Sequence, residues 1–163
     1  RRFQQVIGDC QAKLEQFEAS IVSYENALEL ADSSSADENS KNINKGDIMH
    51  NMAMSFRALN KIKEAIIWLK QSLEIKQERP DSPSKHYAIA LTLKSIGVCY
   101  KQLGEYQKAL DECFEKAREH LQGAEDDQAT KQLKSWLYNN EGICHAELGH
   151  YDKMDIMEDF QLM

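Results

Sequence analysis

The feature that most restricts what this chain can fold into is a pattern that returns every 44 or 45 residues. Residues 96–106 read Ile-Gly-Val-Cys-Tyr-Lys-Gln-Leu-Gly-Glu-Tyr, residues 141–151 read Glu-Gly-Ile-Cys-His-Ala-Glu-Leu-Gly-His-Tyr, and residues 7–17 read Ile-Gly-Asp-Cys-Gln-Ala-Lys-Leu-Glu-Gln-Phe. Residues 52–62 follow the same pattern more loosely. Aligned, they give a small-residue column (Gly8, Ala53, Gly97, Gly142) and, two residues on, a second small column (Cys10, Ser55, Cys99, Cys144). A leucine column (Leu14, Leu59, Leu103, Leu148) and an apolar column (Phe17, Ile62, Tyr106, Tyr151) complete the pattern. A repeat of this length is one supersecondary unit that buries its apolar face only by stacking on its neighbours.

Each column has a physical reason. Two helices that cross closely need a residue without a bulky side chain at the crossing. A leucine closes the first helix on its apolar side, and this reading expects Leu103→Asp to unfold the middle of the array by burying a charge. Gly104 and Gly149 then suit the left-handed cap conformation. The aromatic opens the second helix, and Ala65 and Ala109 follow three residues later to allow close approach. Ile21, Ile66 and Leu110, with Tyr24 and Leu69, continue an i, i+3/i+4 stripe. Two prolines, seven glycines and a 29% charged composition agree with an all-helical chain.

The segment Gly97–Ala109, with Gly97, Tyr100, Leu103, Gly104, Tyr106 and Ala109, resembles the tetratricopeptide-repeat (TPR) signature, and the likeness extends over essentially the whole chain. It implies an all-α, right-handed TPR superhelix, an α-solenoid of four antiparallel helix pairs with a concave groove. The units are expected at about 1–32, 46–79, 85–122 and 126–163, as a single TPR domain cut from a larger protein. The family unit is usually about 34 residues; the longer unit here resembles that of kinesin light chains. Ser33 to Gly46 reads as a loose polar linker, and Pro80 and Pro83 as a helix stop. The second helix of the third unit is expected to run to about Gln122. In the fourth unit Met154 replaces a small residue, and Asp155 and Glu158 occupy apolar columns. Lys134-Ser135-Trp136-Leu137-Tyr138 with Gly142, Cys144, Glu147 and Leu148 is also similar to a repeat in the TPR subunit of the outer dynein arm docking complex.

Composition and motifs exclude most chemistry. A net charge of −7 without a Lys/Arg cluster argues against nucleic acid. No apolar run approaches the roughly 20 residues of a membrane span. The chain has four cysteines and no CxxC. Cys10, Cys99 and Cys144 share one column, one unit apart, too far from each other for a disulfide or a shared ion; with Cys113 they read as buried thiols of a reducing, cytoplasmic setting. The histidines at 50, 86, 120, 145 and 150 form no HExxH motif, and His145 falls in a core column. Phosphate loops and a nucleophile elbow are absent. No enzyme activity, cofactor or metal is expected.

Function is therefore expected on the first helices, which line the groove in the family the chain resembles. The candidates are His50, Asn51 and Arg57 in the second unit, Lys94 and Lys101 in the third, and Trp136, Asn139 and Asn140 in the fourth. Amide and ammonium groups suit a peptide backbone and its acidic side chains, and Trp136 suits an aromatic anchor. The carboxylate clamp of chaperone-binding TPRs is not expected: Gln5 and Asp9 replace its leading Lys and Asn, and Asp9 repels a carboxylate. Two readings follow. One is an adaptor that captures an unidentified protein or peptide in the groove, so that replacing Asn51, Lys94 and Asn140 abolishes binding. The other is a scaffold of a cytoskeletal or ciliary assembly that uses its convex face or its ends, with localisation on the axoneme. Uncapped ends would also allow end-to-end self-association.

Overall fold

The computed structural model describes residues 2–150. All regular structure among them is helical. The chain divides into two compact units, Arg1–Arg79 and Pro80–Met163. The first holds α1 (Arg2–Lys13), α2 (Phe17–Asp32), α3 (Glu38–Ala58) and α4 (Ile62–Gln77). The second holds α5 (Pro83–Gln102), then α6 (Tyr106–Lys108) and α7 (Glu115–His120) joined through a π-helical turn at Ala109–Phe114, and α8 (Gln128–Glu147). The readings of Tyr151, Met154, Asp155 and Glu158 lie outside the described residues.

All four first helices end the same way. The residue after the cap takes a left-handed backbone: Glu15 (φ 59), Asn60 (φ 61), Gly104 (φ 75) and Gly149 (φ 77). The next amide bonds back five residues, Gln16 to Gln11, Lys61 to Phe56, Glu105 to Tyr100 and His150 to His145, at 2.7–2.9 Å. This pattern satisfies carbonyls that a helix end leaves open. The sequence pointed to it only where glycine occurs.

The small column works as expected where it is described. A Cβ on Gly8 would stand 2.8 Å from the Tyr24 ring, and one on Gly97 would stand 2.4 Å from the Phe114 ring. Tyr24 and Phe114 are both buried, as are Ala53, Ala65, Ala109, Leu69 and Leu110. Burying each large apolar side chain contributes on the order of 1.5–3 kcal/mol.

Three expectations need correction. Leu14 is 69% exposed and Leu103 is 36% exposed. The leucine column occupies the cap and keeps contact with water, so an aspartate at 103 stays hydrated and the expected unfolding does not follow. Cys10 is exposed, whereas Cys99, Cys113 and Cys144 are buried. Cys10 shares the outer side of α1 with Phe3 and Ile7, which are also exposed. Finally, helix α3 begins at Glu38, well before Gly46. The Asp37 carboxylate caps it by accepting from the Ser40 amide at 3.0 Å. The added turns are held by α4 and the residues after it: the Ser72 hydroxyl donates to the Gly46 carbonyl at 2.6 Å, and the Arg79 guanidinium donates to the Ile43 carbonyl at 3.1 Å.

Candidate functional site

In the first unit the candidate side chains turn toward their own scaffold. The Asp9 carboxylate on α1 accepts from the Tyr24 hydroxyl at 2.7 Å and from the Asn51 amide at 3.2 Å. Burial, and then Asp9, push the Tyr24 phenol well above its ordinary pKa. The His50 Nδ1 lies 3.4 Å from the Nζ of Lys76 on α4. Lys76 is buried, and desolvation pushes its ammonium down to about 8. Arg57 is half-buried in the last turn of α3.

In the second unit four candidates come together. Helix α5 places Lys94 and Lys101 two turns apart on one side. The Lys94 ammonium stands 4.4 Å from the centroid of the Trp136 ring, within the range of a cation–π contact. Trp136 meets Phe114 edge-on, with centroids 5.6 Å apart and planes at 77°. The Lys101 ammonium donates to the Asn140 side-chain oxygen at 2.6 Å, and the Asn140 amide donates to the Trp136 carbonyl at 2.9 Å. Asn140 is only 5% exposed; it holds Lys101 in place from beneath. Asn139 is exposed on α8, as is Ile143.

A lysine has three N–H donors, and Asn140 takes one from Lys101 while carrying no charge. An acidic group arriving at this surface meets a positioned cation, with Trp136 and Ile143 as apolar neighbours. Electrostatic complementarity of this kind sets specificity and association rate.

One functional-looking pair was hidden from sequence reasoning. The Glu141 carboxylate is 1% exposed and pairs with the Arg118 guanidinium at 3.1 Å. Burial raises the pKa of Glu141, against the opposing pull of Arg118. Arg118 also lies 5.2 Å from the Tyr138 ring centroid. The available signal was a glutamate in the column held elsewhere by Ile7, Met52 and Ile96. The pair ties α7 to α8 and is structural.

Among the described residues no group of three or more His, Cys, Asp or Glu side chains is arranged to hold a metal ion. No described helix is long and apolar enough to cross a membrane. Two clefts, of about 60 Å³ beside Ala27 and Ile48 and about 190 Å³ beside Tyr87 and Thr130, are smaller than the roughly 300–1,000 Å³ of ordinary small-molecule sites.

Residues 4–78 match the family model described as tetratricopeptide repeat. No curated protein matches the chain. Among solved structures, the apo form of RapI superposes with a TM-score of 0.80 at 18% identity, over 98% of this chain and 41% of that one. This chain thus spans well under half of the length of RapI. A putative kinesin light chain with nearly identical TPR-like repeats, from Podosopora anserina, gives a TM-score of 0.72 at 13% identity, over 99% of this chain and 74% of that one. BtubC (BKLC) from P. vanneervenii gives 0.63 at 14% identity, over 97% and 76%. Identities this low speak for the fold alone, an all-α array of TPR helix pairs.

Proposed function

We propose that this tetratricopeptide-repeat protein is a non-enzymatic adaptor that holds an acidic peptide or helix of a protein partner on the first-helix face of its second unit. Protein interaction is the general work of the repeat, and the choice of face is our reading. The observation that carries it is the Lys101–Asn140–Trp136 chain of hydrogen bonds, which positions a cation on a neutral amide within a chain of net charge −7. Lys94 over Trp136 adds a second ammonium two turns away. In the first unit Asn51 already serves Asp9, which supports looking to the second unit. The test is selection of binders from a displayed peptide library, followed by affinity measurement with Lys94→Ala/Lys101→Ala. The proposal expects Asp/Glu-rich sequences that lose at least about tenfold in affinity, roughly 1.4 kcal/mol. Equal binding by the double variant would count against it.

A second reading, assembly through the ends, draws on one specific observation. Phe3 is 80% exposed, and Val6 and Ile7 on the same helix are exposed too. The corresponding Ile48 and Met52 of α3 are buried. This favours association of α1 with another helix surface, including a second copy. Sedimentation of wild type against Phe3→Glu/Ile7→Glu decides it: a concentration-dependent dimer that the variant abolishes supports assembly, and a monomer at all concentrations removes it. A cytoskeletal or ciliary role rests on the sequence likeness given above. The four free thiols support a reducing, cytoplasmic setting.

A further inference from the structure

We propose that the partner segment held on the second unit is an amphipathic α-helix, with two acidic residues seven positions apart, lying along α5 and α8. This rests on the acidic-partner reading given above and specifies the shape and charge spacing of that partner. Its basis is a period shared by the two first helices of the unit. Lys94 and Lys101 on α5 are seven residues apart, and so are Trp136 and Ile143 on α8. Seven residues make almost two helical turns, so each pair lies on one face of its helix, about 10.5 Å apart along the axis.

Two contacts set these stripes side by side. The Lys94 ammonium stands 4.4 Å from the Trp136 ring centroid, and Lys101 donates to Asn140 at 2.6 Å. The later residue of α5 meets the later residue of α8, so the two helices run in the same direction. A cationic stripe therefore lies beside an apolar one, in which Ile143 is 40% exposed and Trp136 is half-buried. Val98, also half-buried, sits on α5 between the two lysines.

The period of the stripes selects the occupant. A docked helix returns to one face after seven residues, over the same rise of about 10.5 Å. Glutamates at i and i+7 thus reach both ammonium groups, while apolar residues three or four positions after each turn toward Trp136 and Ile143. A β-strand places same-face side chains about 6.6 Å or about 13 Å apart, which matches neither stripe. A polyproline II segment returns every third residue, after about 9.3 Å, and is the nearest rival. The apolar stripe supplies contact area, and the paired ammonium groups fix register and direction.

The test uses the whole 163-residue chain and Ala/Gln-based peptides of identical composition, with two Glu and two Leu. Leu stands three or four positions after each Glu, in two versions. One set has its glutamates at i and i+7; the other has them at i and i+5, which turns the second about 140° away. The i, i+7 peptide is expected to bind at least about tenfold more tightly and to gain helical circular dichroism on binding. Lys94→Ala/Lys101→Ala should remove the difference between the sets. Equal affinity for both sets would overturn the inference, as would tighter binding of a proline-rich peptide with Glu at every third position. If acidic peptides bind whatever their spacing and the double variant loses them all, the acidic-partner reading stands and the helix falls. If no acidic peptide binds at millimolar concentration, both fall.

Discussion

The two units are built on one register and treat their first-helix polar groups in opposite ways. In the first unit a carboxylate, Asp9, gathers Tyr24 and Asn51 around itself, and His50 turns toward Lys76. In the second a cation, Lys101, rests on a neutral amide, and another, Lys94, rests on an indole ring. Asn51 and Asn140 share one repeat column and His50 and Lys94 another, yet one unit's face is knitted together around an anion and the other's carries ammonium groups. A repeat fold fixes where side chains are offered, and one or two residue choices decide what each unit can attract.

The comparison extends to buried charge, where the largest effect is expected. Arg118→Met leaves the Glu141 carboxylate buried without its partner and should cost about 3 kcal/mol at neutral pH. Because burial raises the pKa of Glu141, the orphaned carboxyl takes a proton as pH falls, so the deficit should shrink in acid. A deficit independent of pH in urea melts would refute the pairing as the cause.

The helix crossings come next. An alanine gains about 1 kcal/mol of helix propensity over glycine, and overpacking costs about 1–3 kcal/mol. At Gly97 the Phe114 ring stands 2.4 Å from the new Cβ, so a net loss of about 2 kcal/mol is expected. At Gly8 the contact is 2.8 Å and the outer side of α1 is open, so the net should be near zero. Equal losses at both sites would erase this difference between the units.

Lys76 offers a test of similar or smaller size in the first unit. Its pKa falls to about 8 from 10.5, so its burial costs nothing above the higher value and progressively more as pH drops to the lower one. Lys76→Met should therefore stabilise by about 2 kcal/mol at pH 7 and lose that advantage near pH 10. A variant that melts below wild type at pH 7 would show that the ammonium is better satisfied than its burial implies. The smallest effect concerns the caps. Asn60→Gly removes the strain of a left-handed side chain and should gain about 0.5–1 kcal/mol, whereas Gly104→Ala should lose about as much, with nothing within 4 Å to clash.

Much of the fold was legible because the columns encode contacts made inside each unit. Gly97 against Phe114, Ala65 and Ala109 in the core, and the starts of α2, α4 and α6 at Phe17, Ile62 and Tyr106 all followed from spacing. The leucine column misled because its repetition reflects the helix cap, a backbone requirement, and repetition alone does not separate caps from core. The early start of α3 escaped because polar residues 38–45 carry no apolar period; the Asp37 cap and the hold of Ser72 and Arg79 on their carbonyls make the helix. For the candidate site, the sequence placed Lys94, Lys101, Trp136 and Asn140 on first helices. It could not tell that Asn51 would turn to Asp9, or that Asn140 would lie beneath Lys101, because those partners come from other helices.

The most direct test of the central claim is the salt-dependent affinity of the chain for a selected acidic peptide, compared between Lys101→Ala and Arg57→Ala. The account predicts that Lys101→Ala loses at least about tenfold and flattens the salt dependence, while Arg57→Ala in the first unit binds as wild type does. Equal affinity for wild type and Lys101→Ala, or a loss confined to Arg57→Ala, would contradict it.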